Sequence, residues 1–254
     1  MIGKYLQKFR SSDTYLRLRH SRLHQFYFKW AHPADYLHIK AEQKMYMHLL
    51  QQFFPNKDIL VFDGGANIGD LTHTFSKLAK QTIAIEPDPA NLRHLNLRFS
   101  SQSKIRILPV ALGVENGKQI FYSNTADPAL STLQPGKNLH FESISVEVKT
   151  ITSLISQFGK PDFIKLDLEG SEFEVIQSME HLPVLMAFEV NAHSDSNAFV
   201  RILEMIGKRF PEINYNISTN DEYLIFENFV PRIQLLDFIQ KNSCRYGMVF
   251  CLSR

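Results

Sequence analysis

The stretch VFDGGANIGD, Val61–Asp70, decides the fold. It continues a short apolar run, ILVFD at 59–63, which has the length and composition of a buried strand. The run ends in the carboxylate of Asp63 and then in closely spaced glycines, a pattern that indicates a sharp turn. Apolar residues at helical spacing predict a helix over 71–80. These features together predict a strand, a glycine turn and a helix, the unit from which parallel α/β sheets are built.

The same alternation of strand and helix continues along the chain. Further strands are predicted at 81–85, 105–110, 162–166, 185–190, 222–227 and 248–252, and the helices between them at 89–99, 151–158, 172–179, 198–210 and 232–240. Crossover helices of this kind connect parallel strands. We therefore predict an α/β fold with a doubly wound, mostly parallel, seven-stranded sheet.

Two regions depart from this alternation. Strands at 118–122 and 143–149 flank a polar loop, SNTADPALSTLQPG, whose Asp127, Ser131 and Thr132 belong either to a lid over the ligands or to an inert surface loop. Residues 1–57 are predicted as helix and loop, including a helix over 41–54. We therefore divide the chain into an N-terminal helical extension, 1–57, and a main domain, 58–254.

Composition indicates an ordinary globular protein. The 254 residues carry a net charge of +2, which does not favour nucleic acid as a partner, and 44% of them are hydrophobic. The two cysteines, Cys244 and Cys251, fit a reducing compartment better than a disulfide scaffold. There is no apolar run long enough to span a bilayer and no apolar leader, so we expect a cytoplasmic protein.

The glycine turn indicates a nucleoside cofactor. A dinucleotide favours the pattern G-x-G-x-x-G, which Gly64, Ala66 and Gly69 match imperfectly. The methyltransferase pattern D-x-G-x-G-x-G fits Asp63, Gly65, Asn67 and Gly69, with Asn in place of one Gly. Adenosylmethionine carries an ammonium, which the carboxylate of Asp63 suits, and a carboxylate, which the bare amides of the turn suit.

A second carboxylate supports the cofactor prediction. Glu86 ends the second strand, 23 residues after Asp63, and an acid at that place accepts hydrogen bonds from both ribose hydroxyls. Asp88 and Asn91 follow closely and are expected near the adenosine. The alternative, that Asp63 and Glu86 are only solvated acids at strand ends, explains neither the glycines nor the spacing.

Four blocks of sequence follow one another along the chain: FDGGANIGDLT (62–72), AIEPDPANLRHL (84–95), PVALGVENGKQIFY (109–122) and DFIKLDLEGSEFEVIQSM (162–179). They resemble the FkbM family of methyltransferases, and the resemblance covers roughly residues 58–190. The order and spacing of the four blocks make it specific. The resemblance implies a class I methyltransferase-like Rossmann fold and S-adenosyl-L-methionine as cofactor. It also implies transfer of a methyl group to a hydroxyl oxygen of a sugar, glycan or small natural product, and cofactor contacts at Pro87, Ala111 and Asp167 as well as at the glycine turn.

The fourth and fifth strands of the main pattern bring candidate catalytic groups to the same sheet edge. Asp167, Glu189 and His193 are the candidates, with His193 as the natural base because its ordinary pKa lies near neutrality. Asp167 and Glu169 have a structural alternative, since acids stabilise the start of a helix. The carboxylates with His193 also raise the question of a divalent ion, which nothing in their spacing requires, and no metal ligand is assigned.

The N-terminal segment is basic and aromatic. Residues 1–30 contain seven Lys and Arg residues against the single acid Asp13. One interpretation is a cap that packs its aromatic side on the main domain. The other is a contact surface for an anionic partner, such as a membrane face, a glycolipid or a nucleotide-linked substrate. Two further alternatives for the whole chain are a non-catalytic binding protein that kept the cofactor fold and a nicotinamide-dependent oxidoreductase.

Overall fold

The computed structural model of the protein describes residues 21–56, 58–124, 131–133, 141–193 and 195–253. The helices in these ranges are α1 (Arg22–Ala31), α2 (Pro33–Phe53), α3 (Asp70–Phe75), α4 (Pro89–Phe99), α5 (Ile151–Phe158), α6 (Glu172–Ser178), α7 (Ala198–Arg209) and α8 (Arg232–Lys241). The strands are β1 (Ile59–Gly64), β2 (Ala79–Ile85), β3 (Ile105–Leu108), β4 (Val110–Leu112), β5 (Gly117–Asn124), β6 (Phe141–Lys149), β7 (Phe163–Leu166), β8 (Leu185–Asn191), β9 (Ile213–Ser218), β10 (Val230–Pro231) and β11 (Tyr246–Ser253).

The main sheet has the strand order β10-β9-β11-β8-β7-β1-β2-β3. The neighbours from β8 to β3 all pair in parallel, and β11 lies antiparallel between β8 and β9. The order reverses between β1 and β7, so the carboxyl ends of β1, β2 and β7 border the crevice where such sheets bind ligands. The prediction of a mostly parallel α/β sheet is confirmed, with the two-residue β10 added at one edge.

A second sheet of three strands, in the order β4-β6-β5, carries the middle of the chain. The predicted third strand, 105–110, is divided by Pro109 between the two sheets. Proline has no N–H to donate to a strand ladder, so the chain leaves the main sheet at this residue. The second half becomes β4, which pairs in parallel with β6 and places Ala111 beside the crevice.

Two predicted elements are wrong in position. The helix predicted to reach Lys80 ends at Phe75, and β2 already begins at Ala79, which is fully buried in the sheet. The strand predicted at 222–227 is absent from the described residues, and β9 takes its place in the sheet. The fully buried Asn216 of β9 donates to the carbonyl of Phe226 (2.8 Å) and accepts from its N–H (3.1 Å), so side-chain hydrogen bonds hold that segment beside β9.

The N-terminal helices differ in how they pack. α2 buries Tyr46, Leu49 and Leu50 in a cluster that includes aromatic residues of the sheet. In α1, Phe26, Tyr27 and Trp30 are 76%, 55% and 78% exposed, so the interpretation that the aromatic side packs on the main domain is wrong for these three residues. The prediction for residues 1–20 lies outside the described part of the chain. Among the described helices, none is long and apolar enough to cross a membrane.

Candidate active site

The glycine turn after β1 has a backbone that few residues can adopt. Gly65, Asn67 and Gly69 have φ of 70°, 50° and 86°, in the left-handed region that favours glycine. A Cβ built on Gly65 would lie 1.8 Å from the carbonyl oxygen of Asp167, which excludes any side chain. The turn therefore needs Gly65 for a second reason, because the backbone after β7 passes directly against it.

The amides of the turn are tied to the end of β2. Gly65 and Ala66 donate to the carbonyl of Ile85 (3.0 and 3.1 Å), and Asn67 donates to the Glu86 carboxylate (2.8 Å). These three amides are therefore not the bare donors that the pattern suggested. Glu86 also accepts from the N–H of Asp88 (2.9 Å), and burial raises the pKa of Glu86 to about 7 against these hydrogen bonds. The Glu86 carboxylate is thus held rigidly where β2 ends.

A cavity of about 300 Å³ lies over the turn, within the range of ligand pockets. The predicted cofactor residues that line it are Gly65, Ala66, Asn67, Glu86, Pro87, Ala111 and Asp167, together with Asn91. The predicted residues Asp63, Gly64, Gly69 and Asp88 are not in its wall. The structure thus brings together the turn, the end of β2 and the end of β7, as the strand order requires.

Asp63 lies beneath the cavity, fully buried. Its Oδ2 accepts a hydrogen bond of 2.6 Å from the hydroxyl of Thr72, and its Oδ1 lies 3.9 Å from the Nζ of Lys165. Burial raises the pKa of Asp63, although Lys165 and Thr72 oppose the shift. In this position Asp63 supports the turn and Lys165, and the expected contact with the cofactor ammonium stays a prediction.

Lys165 is a central residue to which the sequence assigned no role. It is almost fully buried in β7, and its Nζ lies 3.0 Å from Asp167 Oδ2 and donates to the carbonyl of Gly65 (3.1 Å). Burial lowers its pKa, but Asp167 and Asp63 outweigh burial and raise it, so Lys165 stays charged. A lysine inside an apolar strand, DFIKLD, is the sequence signal that could have identified it, since buried lysines are almost always paired.

Asp88 connects the start of α4 to the polar loop through hydrogen bonds. Its Oδ1 accepts from the N–H of Ala90 (2.8 Å) at the start of α4, and its Oδ2 accepts from the hydroxyls of Ser123 (2.5 Å) and Ser131 (3.1 Å). Ser131 lines the cavity, and Thr132 donates to the carbonyl of Glu169 (2.8 Å). The described part of the polar loop is thus fastened beside the cavity, while Asp127 lies outside the described residues.

Asp167 and Glu189 form a hydrogen-bonded carboxyl pair beside the cavity. Burial, the bond to Asp167 and the charge of Asp167 raise the pKa of Glu189 to about 10. Burial would also raise the pKa of Asp167, but Lys165 outweighs burial and lowers it. At neutral pH the pair therefore holds one proton, on Glu189, and Asp167 is the ionised partner.

A second groove adjoins the cavity on the far side of this pair. Glu169 borders both, and Glu189 and His193 line the groove. His193 is exposed, and its Nδ1 lies 2.8 Å from the Oδ1 of Asn191. Asp167 thus lines the cavity, and Glu189 and His193 line the adjoining groove.

Glu172 lies close to Asp167, although the hypothesis of a divalent ion bound by the carboxylates and His193 did not include it. Oxygens of Asp167, Glu172 and Glu189 lie within 4.8 Å of one another, and His193 is not part of this group. Glu172 accepts from the N–H groups of Leu168 (2.5 Å) and Gly170 (3.0 Å), so it closes the turn before α6. The fold explains the place of Glu172 without an ion.

Adenosylmethionine fits the chemistry of this cavity. Lys165 is the one cationic side chain among the described residues of its wall, against Glu42, Asp70, Glu86, Asp167 and Glu169. An acid-rich wall suits a ligand that carries a sulfonium and an ammonium against one carboxylate. The sheet, the turn and the Glu86 carboxylate together define a nucleoside-cofactor enzyme of the doubly wound α/β class.

The comparison with protein families identifies the chain more closely. Residues 63–217 match the family described as Methyltransferase FkbM domain. The chain therefore belongs to the FkbM methyltransferase family and is a methyltransferase domain with S-adenosylmethionine as its methyl donor. This assignment rules out the nicotinamide-dependent alternative. No curated protein matches the sequence significantly.

Several solved structures are similar to the chain. A methyltransferase FkbM from Methylobacillus flagellatus KT is 18% identical, with a TM-score of 0.48 over 77% of this chain, and this chain spans 44% of that protein. The plantazolicin methyltransferase BpumL in complex with SAH is 13% identical, with a TM-score of 0.46 over 95% of this chain and 98% of that one. Since both TM-scores lie below 0.5, the assignment rests on the family match.

Proposed function

We propose that the protein transfers the methyl group to a hydroxyl oxygen of an uncharged acceptor, such as a sugar, a glycan or a small natural product. The observation that carries the proposal is the contact between the cofactor cavity and the acidic groove at Asp167 and Glu189. A donor bound over the glycine turn and an acceptor bound in the groove would meet at this carboxyl pair. Holding the two reactants in line supplies much of the rate of such a displacement.

The charge of the groove supports an uncharged acceptor. Its acids are Glu169, Glu172, Glu174 and Asp195, together with Glu189, which holds a proton at neutral pH. Arg201 also lines it, but its guanidinium lies 3.1 Å from the carboxylate of Asp195 and stacks on the ring of Phe173, 4.8 Å from the centroid. An anionic acceptor would be repelled by this wall, whereas the hydroxyls of a neutral acceptor can donate to its carboxylates.

Asp167 is the residue that we propose receives the acceptor proton. The bound donor supplies a methyl group already activated by its sulfonium. Asp167 would accept a hydrogen bond from the acceptor hydroxyl and so orient a lone pair of the acceptor oxygen towards the methyl group. It would take the hydroxyl proton as the oxygen–methyl bond forms and the methyl–sulfur bond breaks, with the electron pair of that bond left on sulfur. Lys165 keeps Asp167 ionised before the reaction, and the protonated Glu189 fixes its orientation. His193, an exposed residue that lines the groove, is the alternative base.

The test is turnover on a panel of neutral sugars, glycans and phenols, measured as release of S-adenosylhomocysteine and as a product heavier by one methylene. Asp167→Asn is expected to lower kcat about 100-fold or more. The matched variant His193→Gln, at a residue that lines the adjoining groove, is expected to leave kcat near that of the wild type. The opposite pattern would assign the base to His193. Binding of S-adenosylhomocysteine without turnover on any hydroxylated acceptor would favour a non-catalytic binding protein.

We also propose that α1 contacts a bilayer surface that contains anionic lipids. Phe26, Tyr27 and Trp30 are exposed on this helix beside Lys29, and the preceding residues are rich in Lys and Arg. Exposed aromatic rings beside basic residues are typical of segments that lie in a membrane interface.

Trp30 is the single tryptophan of the chain and therefore reports this contact directly. Vesicles with anionic lipid are expected to shift its emission to the blue, whereas vesicles of neutral lipid and added salt weaken the shift. Phe26→Ser is expected to reduce binding to the anionic vesicles. Ile233→Ser, at a residue of α8 that is 79% exposed, should leave vesicle binding unchanged. An unchanged Trp30 spectrum on anionic vesicles would contradict the proposal.

A further inference from the structure

The cofactor cavity is completed by two residues from outside the family match. Glu42 and Ile39, one turn apart on α2, line its wall, whereas the family match begins at residue 63. The ring of Tyr46, on the next turn of α2, packs against Phe75 and Phe163 with centroid distances of 5.4 and 6.1 Å. This aromatic packing fixes α2 on the sheet, so Glu42 is held at the cavity.

Glu42 lies among carboxylates that outnumber the cations beside them, which are Lys165 and, at Asp70, Arg98 (2.7 Å). Lys165 attracts it, while Asp221, Asp167 and Asp70 repel it, and burial with these charges raises the pKa of Glu42 to about 7. Lys165 is already shared by Asp167 and Asp63. A cationic ligand group in the cavity would relieve this excess of negative charge.

The strand order indicates which part of adenosylmethionine faces Glu42. Glu86 follows β2 and is placed to hold the ribose. β7, with Lys165 and Asp167, lies on the other side of β1 from β2. A cofactor whose ribose lies at Glu86 therefore extends its amino acid end towards β7, the side on which Lys165 and Asp167 act on Glu42.

We propose that Glu42 binds the ammonium group of adenosylmethionine, so that α2 of the N-terminal extension is part of the cofactor site. The sequence assigned this role to Asp63, but Asp63 is fully buried outside the cavity wall and accepts from Thr72. Glu42 offers a carboxylate in the wall itself. The proposal rests on the proposed function, because it assumes that adenosylmethionine binds in this cavity.

The experiment compares two ligands that differ at the amino acid end. S-adenosylhomocysteine carries the ammonium, and 5′-methylthioadenosine has the same nucleoside without the amino acid. Isothermal titration of both ligands is carried out on the wild type, on Glu42→Gln and on Asp35→Asn. Asp35 is an exposed acid near the start of α2, so its variant removes the same charge from the same helix outside the cavity. Thermal unfolding verifies that each variant is folded.

Glu42→Gln is expected to weaken S-adenosylhomocysteine binding about 10- to 100-fold, the range for losing a hydrogen bond between charged groups. Binding of 5′-methylthioadenosine should stay unchanged, and Asp35→Asn should bind both ligands as the wild type does. Equal weakening of both ligands, or of neither, overturns the role of Glu42. A change confined to the KM of the acceptor also overturns it and assigns Glu42 to the acceptor. Failure of the wild type to bind S-adenosylhomocysteine would overturn the proposed function itself.

Discussion

Replacing Thr72 with valine removes the hydroxyl that donates a hydrogen bond of 2.6 Å to the buried carboxylate of Asp63. The other oxygen of Asp63 has no hydrogen-bond partner among the described residues, and Lys165 lies 3.9 Å from it. After the substitution, the Asp63 carboxylate keeps only this distant cation in a site without water contact. The free energy of unfolding should therefore fall, although valine fills nearly the same volume as threonine.

The magnitude follows from the charge of the acceptor. A hydrogen bond to a charged group contributes about 1.5–3 kcal/mol, whereas one between neutral groups contributes about 0.5–1.5 kcal/mol. Thr74 provides the matched control, because it is equally buried on α3 and its hydroxyl donates to the neutral carbonyl of Asp70 (3.1 Å). For a chain of this size, a loss of about 2 kcal/mol lowers Tm by roughly 4–8 °C.

The dependence on pH gives a second readout. Burial places the pKa of Asp63 in the folded protein above its unfolded value, so the free energy of unfolding falls as pH rises between the two values. Loss of the Thr72 hydroxyl raises the folded pKa further. The loss of free energy of unfolding caused by Thr72→Val should therefore be larger at pH 7 than near pH 4. Urea and thermal unfolding followed by circular dichroism measure this loss. An equal and pH-independent deficit in Thr72→Val and Thr74→Val would refute the account of Asp63.

Two further predictions concern the turn and the carboxyl pair. Gly65→Ala should abolish binding of S-adenosylhomocysteine, because the added Cβ would collide with the carbonyl oxygen of Asp167. The control is Gly170→Ala, which should retain binding, because Gly170 also has a positive φ (109°) but no atom lies within 4 Å of the added Cβ. Equal loss of binding in both variants would contradict the steric explanation. The raised pKa of Glu189, about 10, means that the folded protein keeps a proton that the unfolded chain releases near pH 4.5, so stability falls as pH rises between these values. Glu189→Gln should raise Tm at pH 8 and leave it unchanged near pH 4, whereas a lower Tm at pH 8 would show that Glu189 is ionised.

The elements around the turn could be predicted because their signals are local. The apolar run of β1, the glycines that follow it and the acid that ends β2 are each contained in a stretch of a few residues. β9 was missed although its apolar residues Ile213, Tyr215 and Ile217 alternate with polar ones, as in a half-buried strand, because the segment after it contains a more continuous apolar run. Only the fold shows that buried Asn216 bonds to the backbone of that segment. Prediction failed here because a side-chain contact between two neighbouring segments, ten residues apart, decides the structure.

In the candidate site, too, residues with local signals could be predicted, and residues placed by the packing of distant segments could not. Gly65, Asn67, Glu86 and Asp167 could be predicted to lie close together because parallel strands place their carboxyl ends at one edge, and all four line the cavity. Glu42 could not be found, because its place in the wall depends on how α2 docks on a sheet that begins later in the chain. The division of the chain at residue 57 stays a prediction, and α2 contributes both to the core of the main sheet and to the cavity.

Isothermal titration of the wild-type protein with S-adenosylhomocysteine, with NADH as a control, tests the central claim that the cavity over the glycine turn holds the methyl donor. We predict binding in the micromolar range, roughly −8 kcal/mol, no heat with NADH, and loss of binding in Glu86→Ala while the variant remains folded. Heat with NADH and none with S-adenosylhomocysteine, or binding that Glu86→Ala leaves unchanged, would contradict the account.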